Sequence, residues 1–312
     1  MTRSFTHVPV MLDEVVDLFA PVPDGPIVDA TVGGGGHADA LLASKPGLSI
    51  LGLDRDAEAV AAARARLAPY GDRVRIHHAR FDRLAEIAAE DGAAPVSGVL
   101  FDLGVSSHQL DEAERGFAFR HDAPVDMRMD RSQTFDAATL MNEASADEIA
   151  RVLADGGETR WGRRIATAIV RSRPITTTGQ LAEIVRAAIP AAARRTGGHP
   201  ATRTFQALRI AVNEELAILP TAIDDAIAAL KPRGRCVVLS YHSGEDRIVK
   251  DRFTAAATGG CTCPVALPCA CGATPTVRLL NRGARKPGAD EVAGNPRSES
   301  ARLRAVERLE VA

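Results

Sequence analysis

Acids, glycines and an imidazole crowd into one short run, Asp29-Ala-Thr-Val-Gly-Gly-Gly-Gly-His37. Glycines there let a backbone approach a ligand and reach positive φ, and a helix starting at that point offers N–H groups without intrahelical partners. Asp54 follows 21 residues after Gly33, where an acid ending the next strand accepts both hydroxyl hydrogens of an adenosine ribose. Two ligand classes fit this combination: nicotinamide or flavin dinucleotides, and S-adenosylmethionine. A dinucleotide site takes G-x-G-x-x-G with a pyrophosphate on the helix N-terminus, and the frame from Gly33 supplies only Gly33, Gly35 and Ala38. Asp29 precedes the glycines, where it would repel a diphosphate and attract a cationic methionine end. The residues favour S-adenosylmethionine.

The elements that must hold these residues read directly from the chain. Pro26 to Thr31 forms a buried strand ending in Gly33 to Gly36, and His37 to Ser44 the helix after it. Leu48 to Asp54 is a second strand and Asp56 to Leu67 a second helix with Asp56 as N-cap. Val74 to His78 and Val96 to Asp102 supply a third and a fourth strand, separated by a helix near Leu84 to Glu90. This alternation implies a parallel, doubly wound sheet whose ligand lies beyond the strands' C-terminal ends.

From about Val105 to Arg203 no strand is apparent, and Ala146 to Leu153, Trp161 to Arg171 and Gln180 to Ile189 read as helices. The alternation resumes with helices over Thr204 to Leu219 and Thr221 to Leu230, a turn at Lys231 to Arg235, and a fifth strand, Cys236 to Ser240. A helix over Asp246 to Ala256 and two last strands, Val277 to Asn281 and Leu303 to Leu309, complete the chain. Residues 1–104 with 204–312 therefore make one domain, and 105–203 an inserted, mainly helical one.

The insertion is the natural reader of a polyanion. Between Gly156 and Asn213 ten arginines stand against two acids, Glu158 and Glu183. Arg194, Arg195, His199 and Arg203 form the densest group, and guanidinium groups both pair with phosphates and stack on bases. Four cysteines cluster as Cys261-x-Cys263 and Cys269-x-Cys271. Four thiolates suit a structural zinc site, but spacing within each pair is shorter than usual; no metal is assigned, and zinc, free thiols and a redox-labile loop all stay open.

Composition bounds these readings. With 312 residues, 46% hydrophobic and 25% charged, the chain is a folded protein of about two domains. No apolar stretch reaches the length of a membrane span and the first residues lack a signal peptide's apolar region, so a cytoplasmic location is expected. A formal net charge of −2 argues against a nucleic-acid partner only if charge is evenly spread. It is not: residues 1–155 carry 14 basic and 26 acidic side chains, residues 156–312 carry 24 and 14.

Six segments carry a wider resemblance: Asp29 to His37, Phe101-Asp-Leu-Gly-Val-Ser-Ser-His-Gln-Leu-Asp111, Glu114-Arg-Gly-Phe-Ala-Phe119, Asp126-Met-Arg-Met-Asp130, His199-Pro-Ala-Thr-Arg-Thr-Phe-Gln206 and Ser240-Tyr-His-Ser-Gly-Glu-Asp-Arg-Ile-Val-Lys250. With His7 to Leu12 and Glu291 to Arg297 at the ends, the chain resembles bacterial 16S ribosomal RNA cytosine-N4 methyltransferases in order and over nearly its whole length. The resemblance implies a class I methyltransferase (Rossmann-like) α/β fold with a helical insertion after the fourth strand. It also implies S-adenosylmethionine as methyl donor and a decoding-region cytosine of 16S ribosomal RNA as substrate. Matched by position, Gly35, Gly36, His37, Asp54, Phe81, Asp102 and Gln109 would contact the cofactor, together with Gly33 of the same loop.

Methylating a conjugated amine calls for alignment and for an acceptor of the N4 proton. Asp102 is the acceptor in this reading, with His242 as a second catalytic candidate and Ser106, Ser107, Ser240 and Ser243 as further polar groups on the rim. Many DNA amino-methyltransferases carry Asp/Asn/Ser-Pro-Pro-aromatic at this point, whereas this chain has Asp102-Leu-Gly-Val-Ser-Ser107, which puts base stacking there in doubt. A base taken out of its stack would find Phe117, Phe119 or Trp161 in the insertion. Another acceptor, an oxidoreductase, and a ribosome-assembly factor with an inactive cofactor site are the competing readings.

Overall fold

The computed structural model describes residues 9–193, 199–263 and 270–310. The chain divides into two compact units, Met1–Gly104 with Ile218–Ala312, and Val105–Ala217. The second boundary falls at 217, not at the 203 expected from sequence, because the helix Thr202–Val212 buries Phe205, Ala207, Leu208 and Val212 in the helical unit's core.

The first unit holds a seven-stranded sheet: β1 (Gly25–Asp29), β2 (Leu48–Asp54), β3 (Val74–His78), β4 (Val96–Asp102), β5 (Leu230–Ser240), β6 (Val277–Leu279) and β7 (Arg302–Arg308). Its order is β3-β2-β1-β4-β5-β7-β6. β1 to β5 pair in parallel, while β7 runs antiparallel to both β5 and β6. This is the class I methyltransferase, Rossmann-like arrangement that the resemblance implies.

Successive strand residues alternate between two apolar layers. Val28, Leu53, Phe101 and Val238 meet one set of helices; Ile27, Ile50, Leu100 and Leu239 meet the other. The second layer is built by α1 (Leu12–Phe19), α2 (Gly36–Ser44) and α3 (Ala57–Leu67), with Phe19, Leu41 and Leu67 all buried. The first layer is closed by α4 (Leu84–Glu90) and two helices after the insertion. Burial on both faces is why these strands read as continuous apolar runs.

The helical unit contains α5 (Ser107–Asp111), α6 (Ala137–Glu143), α7 (Ala146–Asp155), α8 (Gly162–Arg171), α9 (Thr178–Ala188) and α10 (Thr202–Val212). Capping boxes open three of them: Ser106 with Gln109, Ser145 with Glu148, and Thr177 with Gln180. Each satisfies two backbone N–H groups that have no intrahelical partner. α8 buries Gly162, Ile165, Ala166 and Ile169, a single stripe that leaves its arginines outward. Asn213, fully buried, accepts from Met129 N at 2.8 Å and donates to Met127 O at 2.7 Å and to Arg209 O at 2.9 Å. It thereby clamps the Asp126–Asp130 segment, where Met127 takes a left-handed φ of 62°.

α11 (Glu215–Ala229) and α12 (Ser243–Thr258) return to the sheet, and α13 (Ala289–Gly294) precedes β7. The helix break expected at Pro220 occurs instead at Asn213 and Glu214, and Pro220 lies inside α11. Glu214 has φ 54°, and Arg209 pairs with Glu215 across the break at 2.8 Å. The expected turn at Lys231 to Arg235 is a bulge inside a longer β5, where the register shifts between Val96 and Gly98 of β4.

Candidate functional site

The glycine loop is shaped at its ends by the acids that bracket it. Gly33 (φ 51°) donates its N–H to Asp54 Oδ2 at 2.9 Å, and Gly35 (φ 79°) is the N-cap of α2. A Cβ on Gly36 would stand 2.5 Å from Pro9 Cγ, so any side chain there forces the first described segment of the chain away from the loop. Asp54 also accepts from Asp56 N, through Oδ1 at 2.9 Å. Each carboxylate oxygen takes one inner N–H and keeps further acceptor capacity for ribose hydroxyls. Burial pushes Asp54 up to about 6, against the two N–H donors that favour its charge.

Asp29 ends β1 fully buried, with one backbone donor, Thr31 N, at 3.3 Å. Burial pushes its carboxyl up to about 8; the Thr31 N–H opposes this, and the nearby Asp102 and Asp54 add to it. Asp102, at the end of β4, receives the Tyr241 hydroxyl on Oδ1 at 2.6 Å, while its N–H donates to Thr31 Oγ1 at 2.6 Å. Its other oxygen, Oδ2, lies 3.7 Å from His37 Nδ1, beyond hydrogen-bond length. His37 Nε2 is 3.0 Å from Val10 O; a carbonyl only accepts, so this nitrogen carries the proton. Tyr241 is held well above its usual pKa, first by burial and then by Asp102, and remains a donor.

Three carboxylates thus gather around one glycine loop at the ends of adjacent parallel strands. Such a set of acceptors suits a ligand with vicinal hydroxyls and a positive charge. The fit to S-adenosylmethionine rests on this chemistry and on the cradle at Gly35 and Gly36. Phe81 follows β3, half-buried, edge-on to Phe101 at 5.7 Å between centroids, which leaves it an apolar ring at the same strand ends.

Other expected site residues have structural duties. Gln109 is buried, and its Oε1 accepts from Ser106 N at 3.0 Å in the capping box of α5. His242 is the N-cap of α12; its Nδ1 accepts from Gly244 N at 3.2 Å and Glu245 N at 3.4 Å. Its Nε2 is 3.2 Å from Glu245 Oε1 without hydrogen-bond alignment. Glu245 reciprocates by accepting from His242 N at 3.3 Å, and the same oxygen accepts from Tyr241 N at 2.8 Å. Ser240 is buried and donates to Arg302 O at 3.3 Å.

Two contacts beside the glycine loop escaped the sequence reading. Tyr241 lies in the Ser240 to Lys250 segment, and with Asp102 opposite Leu239 in the β4 to β5 register its hydroxyl reaches Asp102. Glu291 accepts from Met11 N at 2.7 Å, tying the first and last signature segments together at the side of the loop where Val10 holds His37.

In the helical unit, Arg194 and Arg195 lie outside the described residues. Arg203 is exposed, and His199 is exposed and stacked on Phe119 with 4.3 Å between centroids. Phe119 in turn meets Phe205 edge-on at 5.0 Å, and Phe117 is core. Arg160, Arg163, Arg164 and Arg171 are exposed, and Arg160 lies over the Trp161 ring at 5.0 Å. Arg173 instead binds the carbonyls of Met141 and Ala144, Arg186 pairs with Glu183, and Arg209 with Glu215.

A family model described as the MraW methylase family matches residues 4–309. A ribosomal RNA small subunit methyltransferase H of Symbiobacterium thermophilum is 52% identical over 312 residues, covering 98% of each chain. One of the same name from Thermobifida fusca is 55% identical over 310 residues, covering 97% of this chain and 93% of that one. A solved rRNA methylase of Streptococcus thermophilus covers 99% of this chain and 100% of that one at 11% identity and a TM-score of 0.43; a likeness at that level adds nothing to the family match. Agreement along almost the entire length, over the same strands that carry the acid-lined glycine loop, leaves a single assignment: the chain belongs to the MraW methylase family.

Proposed function

We propose that this protein transfers a methyl group from S-adenosylmethionine to the exocyclic N4 of a cytosine in the decoding region of 16S ribosomal RNA, in the cytoplasm. The observation that carries the chemistry is Asp102, fixed at the end of β4 by the Tyr241 hydroxyl at 2.6 Å beside the glycine loop and Asp29. The small-subunit RNA substrate is supported by the names of relatives above 50% identity, and the cytosine by the resemblance of the signature segments. That no helix among the described residues is long and apolar enough to cross a membrane agrees with the location.

When bound, S-adenosylmethionine supplies an electrophilic methyl on a sulfonium centre. Asp54 would hold the ribose hydroxyls, the backbone from Gly33 to His37 would take the close approach, and Phe81 would cover the adenine. Asp29 would face the cationic end, which favours its ionised form. Asp102 accepts a hydrogen bond from N4–H and then the proton, so that the nitrogen lone pair is turned out of conjugation toward the methyl. Tyr241 positions that carboxylate. In our reading Gln109 and His242 hold helix starts rather than reacting groups. Arg203, His199, the α8 arginines, and Arg194 and Arg195 would engage RNA.

The decisive experiment incubates the protein with labelled S-adenosylmethionine and either free 16S RNA or 30S particles from a strain lacking the gene. N4-methylcytosine in the digested RNA is the expected product. Its absence from both substrates would overturn the proposal, and label on a different nucleoside would move the enzyme to another acceptor.

A further inference from the structure

The chain between α12 and β6 carries cysteines that the proposed reaction does not use. The Sγ atoms of Cys261, Cys263 and Cys271 lie within 4.8 Å of one another. Tetrahedral zinc with sulfur ligands at about 2.3 Å sets its sulfurs about 3.8 Å apart, which the 4.8 Å bound on this cluster accommodates. The neck of the excursion is tied to the helix end: Gly260 N donates to Ala255 O at 2.9 Å, Cys261 N to Thr258 O at 3.2 Å, and Thr276 N to Ala256 O at 3.0 Å. Gly259 (φ 62°) caps α12, and a Cβ there would fall 2.5 Å from Thr274 backbone atoms, so the returning chain crosses directly over the helix terminus. Gly272 (φ 72°) turns the chain immediately after Cys271.

We propose that Cys261, Cys263 and Cys271 bind a zinc ion as three thiolates of a four-coordinate structural site, the fourth ligand being none of the other described cysteines, and that this site clasps the excursion against the end of α12. Three sulfurs converging from two points in the chain exceed what one disulfide uses, and soft thiolate ligands select zinc over hard cations. Cys236 offers the contrast. It is buried in the core of β5, where desolvation pushes its thiol far up, and it takes no part. Cys269 lies outside the described residues and is not included in the ligand set.

Full-length protein purified under reducing conditions, without chelator or metal-affinity resin, is the material for the test. About one zinc per chain is expected by elemental mass spectrometry, and cobalt replacement should give the near-ultraviolet sulfur-to-cobalt band. In a Cys261→Ser/Cys271→Ser variant both signals should fall to background, and cleavage by a protease between residues 259 and 276 should rise at least tenfold. S-adenosylmethionine binding should stay within about twofold, which separates failure of this site from failure of the methyl-transfer reading. Wild-type protein with zinc well below one per chain, and no uptake of added zinc or cobalt, would overturn the proposal. So would a thiol titration placing two of the three sulfurs in a disulfide, or zinc retained when all three are serine.

Discussion

Among the described residues the Tyr241 hydroxyl is the side-chain hydrogen-bond donor to the Asp102 carboxylate, and what it contributes can be measured. Tyr241→Phe removes one hydrogen bond to a carboxylate, an interaction of about 1.5–3 kcal/mol. Turnover should fall about 10- to 100-fold, with affinity for S-adenosylmethionine changed less than about threefold. Asp102→Asn keeps the shape and should cost about 10²–10⁴ in turnover while cofactor binding survives. Equal losses in binding and turnover, read by calorimetry beside steady-state rates, would show instead that Asp102 is a cofactor contact only. Asp29 makes the prediction in pH. Its folded value of about 8 lies far above the ordinary 3.8, so the native state favours the protonated acid. That stabilisation is complete below about pH 4 and disappears as pH rises through 8. The thermal midpoint of the ligand-free protein should therefore decline between pH 5 and 8.5. In Asp29→Asn the upper part of that decline should vanish, leaving the lower part from Asp54, whose value is about 6.

Elements differ in how openly the chain announces them. β1, β2 and β4 were legible because both faces are buried, whereas β3 stands at the sheet edge and buries only Ile76, and α7 and α9 begin where Ser145 and Thr177 stand three residues before Glu148 and Gln180. The break between α10 and α11 was not legible. It is set by Asn213, whose partners Met127 and Met129 lie 86 and 84 residues earlier, and no local pattern reports bonds that distant. The Asp102 to Tyr241 contact was hidden for the same reason, since strand register is fixed by tertiary packing. His242 adds a role that its place at the strand end did not suggest: its Nδ1 caps a helix. Asn213→Ala leaves buried polar backbone groups without their partner and should destabilise the helical unit by about 2–4 kcal/mol, seen as lowered amide protection in α6 to α10. On α8, Arg164 and Arg171 stand seven residues apart on one exposed face. Reversing both to Glu should weaken RNA binding at least tenfold and lower the salt-dependence slope by about 2. Cofactor affinity should not move; an unchanged slope would remove α8 from the RNA interface.

At the scale of the whole molecule, the acidic and basic halves of the sequence do not coincide with its two units. Residues 105–217 hold 15 basic and 15 acidic side chains, so the inserted unit is neutral in sum. Its charge is segregated instead, with a net of −6 over residues 105–155 and +6 over 156–217. For a polyanionic substrate the 156–217 stretch should attract and the 105–155 stretch repel, which would orient an encounter as well as favour it. The insertion has a second consequence, in time rather than space. β4 and β5 are hydrogen-bonded neighbours, yet roughly 130 residues must be synthesised between them, and closing so long a loop is entropically costly. A folded insertion presents its ends closer together than a coil of equal length. Refolding of the sheet should accordingly slow in Asn213→Ala, with the change confined to the folding limb of the chevron. On the ribosome, β4 emerges apolar on both faces with one edge unpaired, a strand open to wrong partners. How quickly the helical unit condenses thus decides how long each nascent chain remains prone to aggregation.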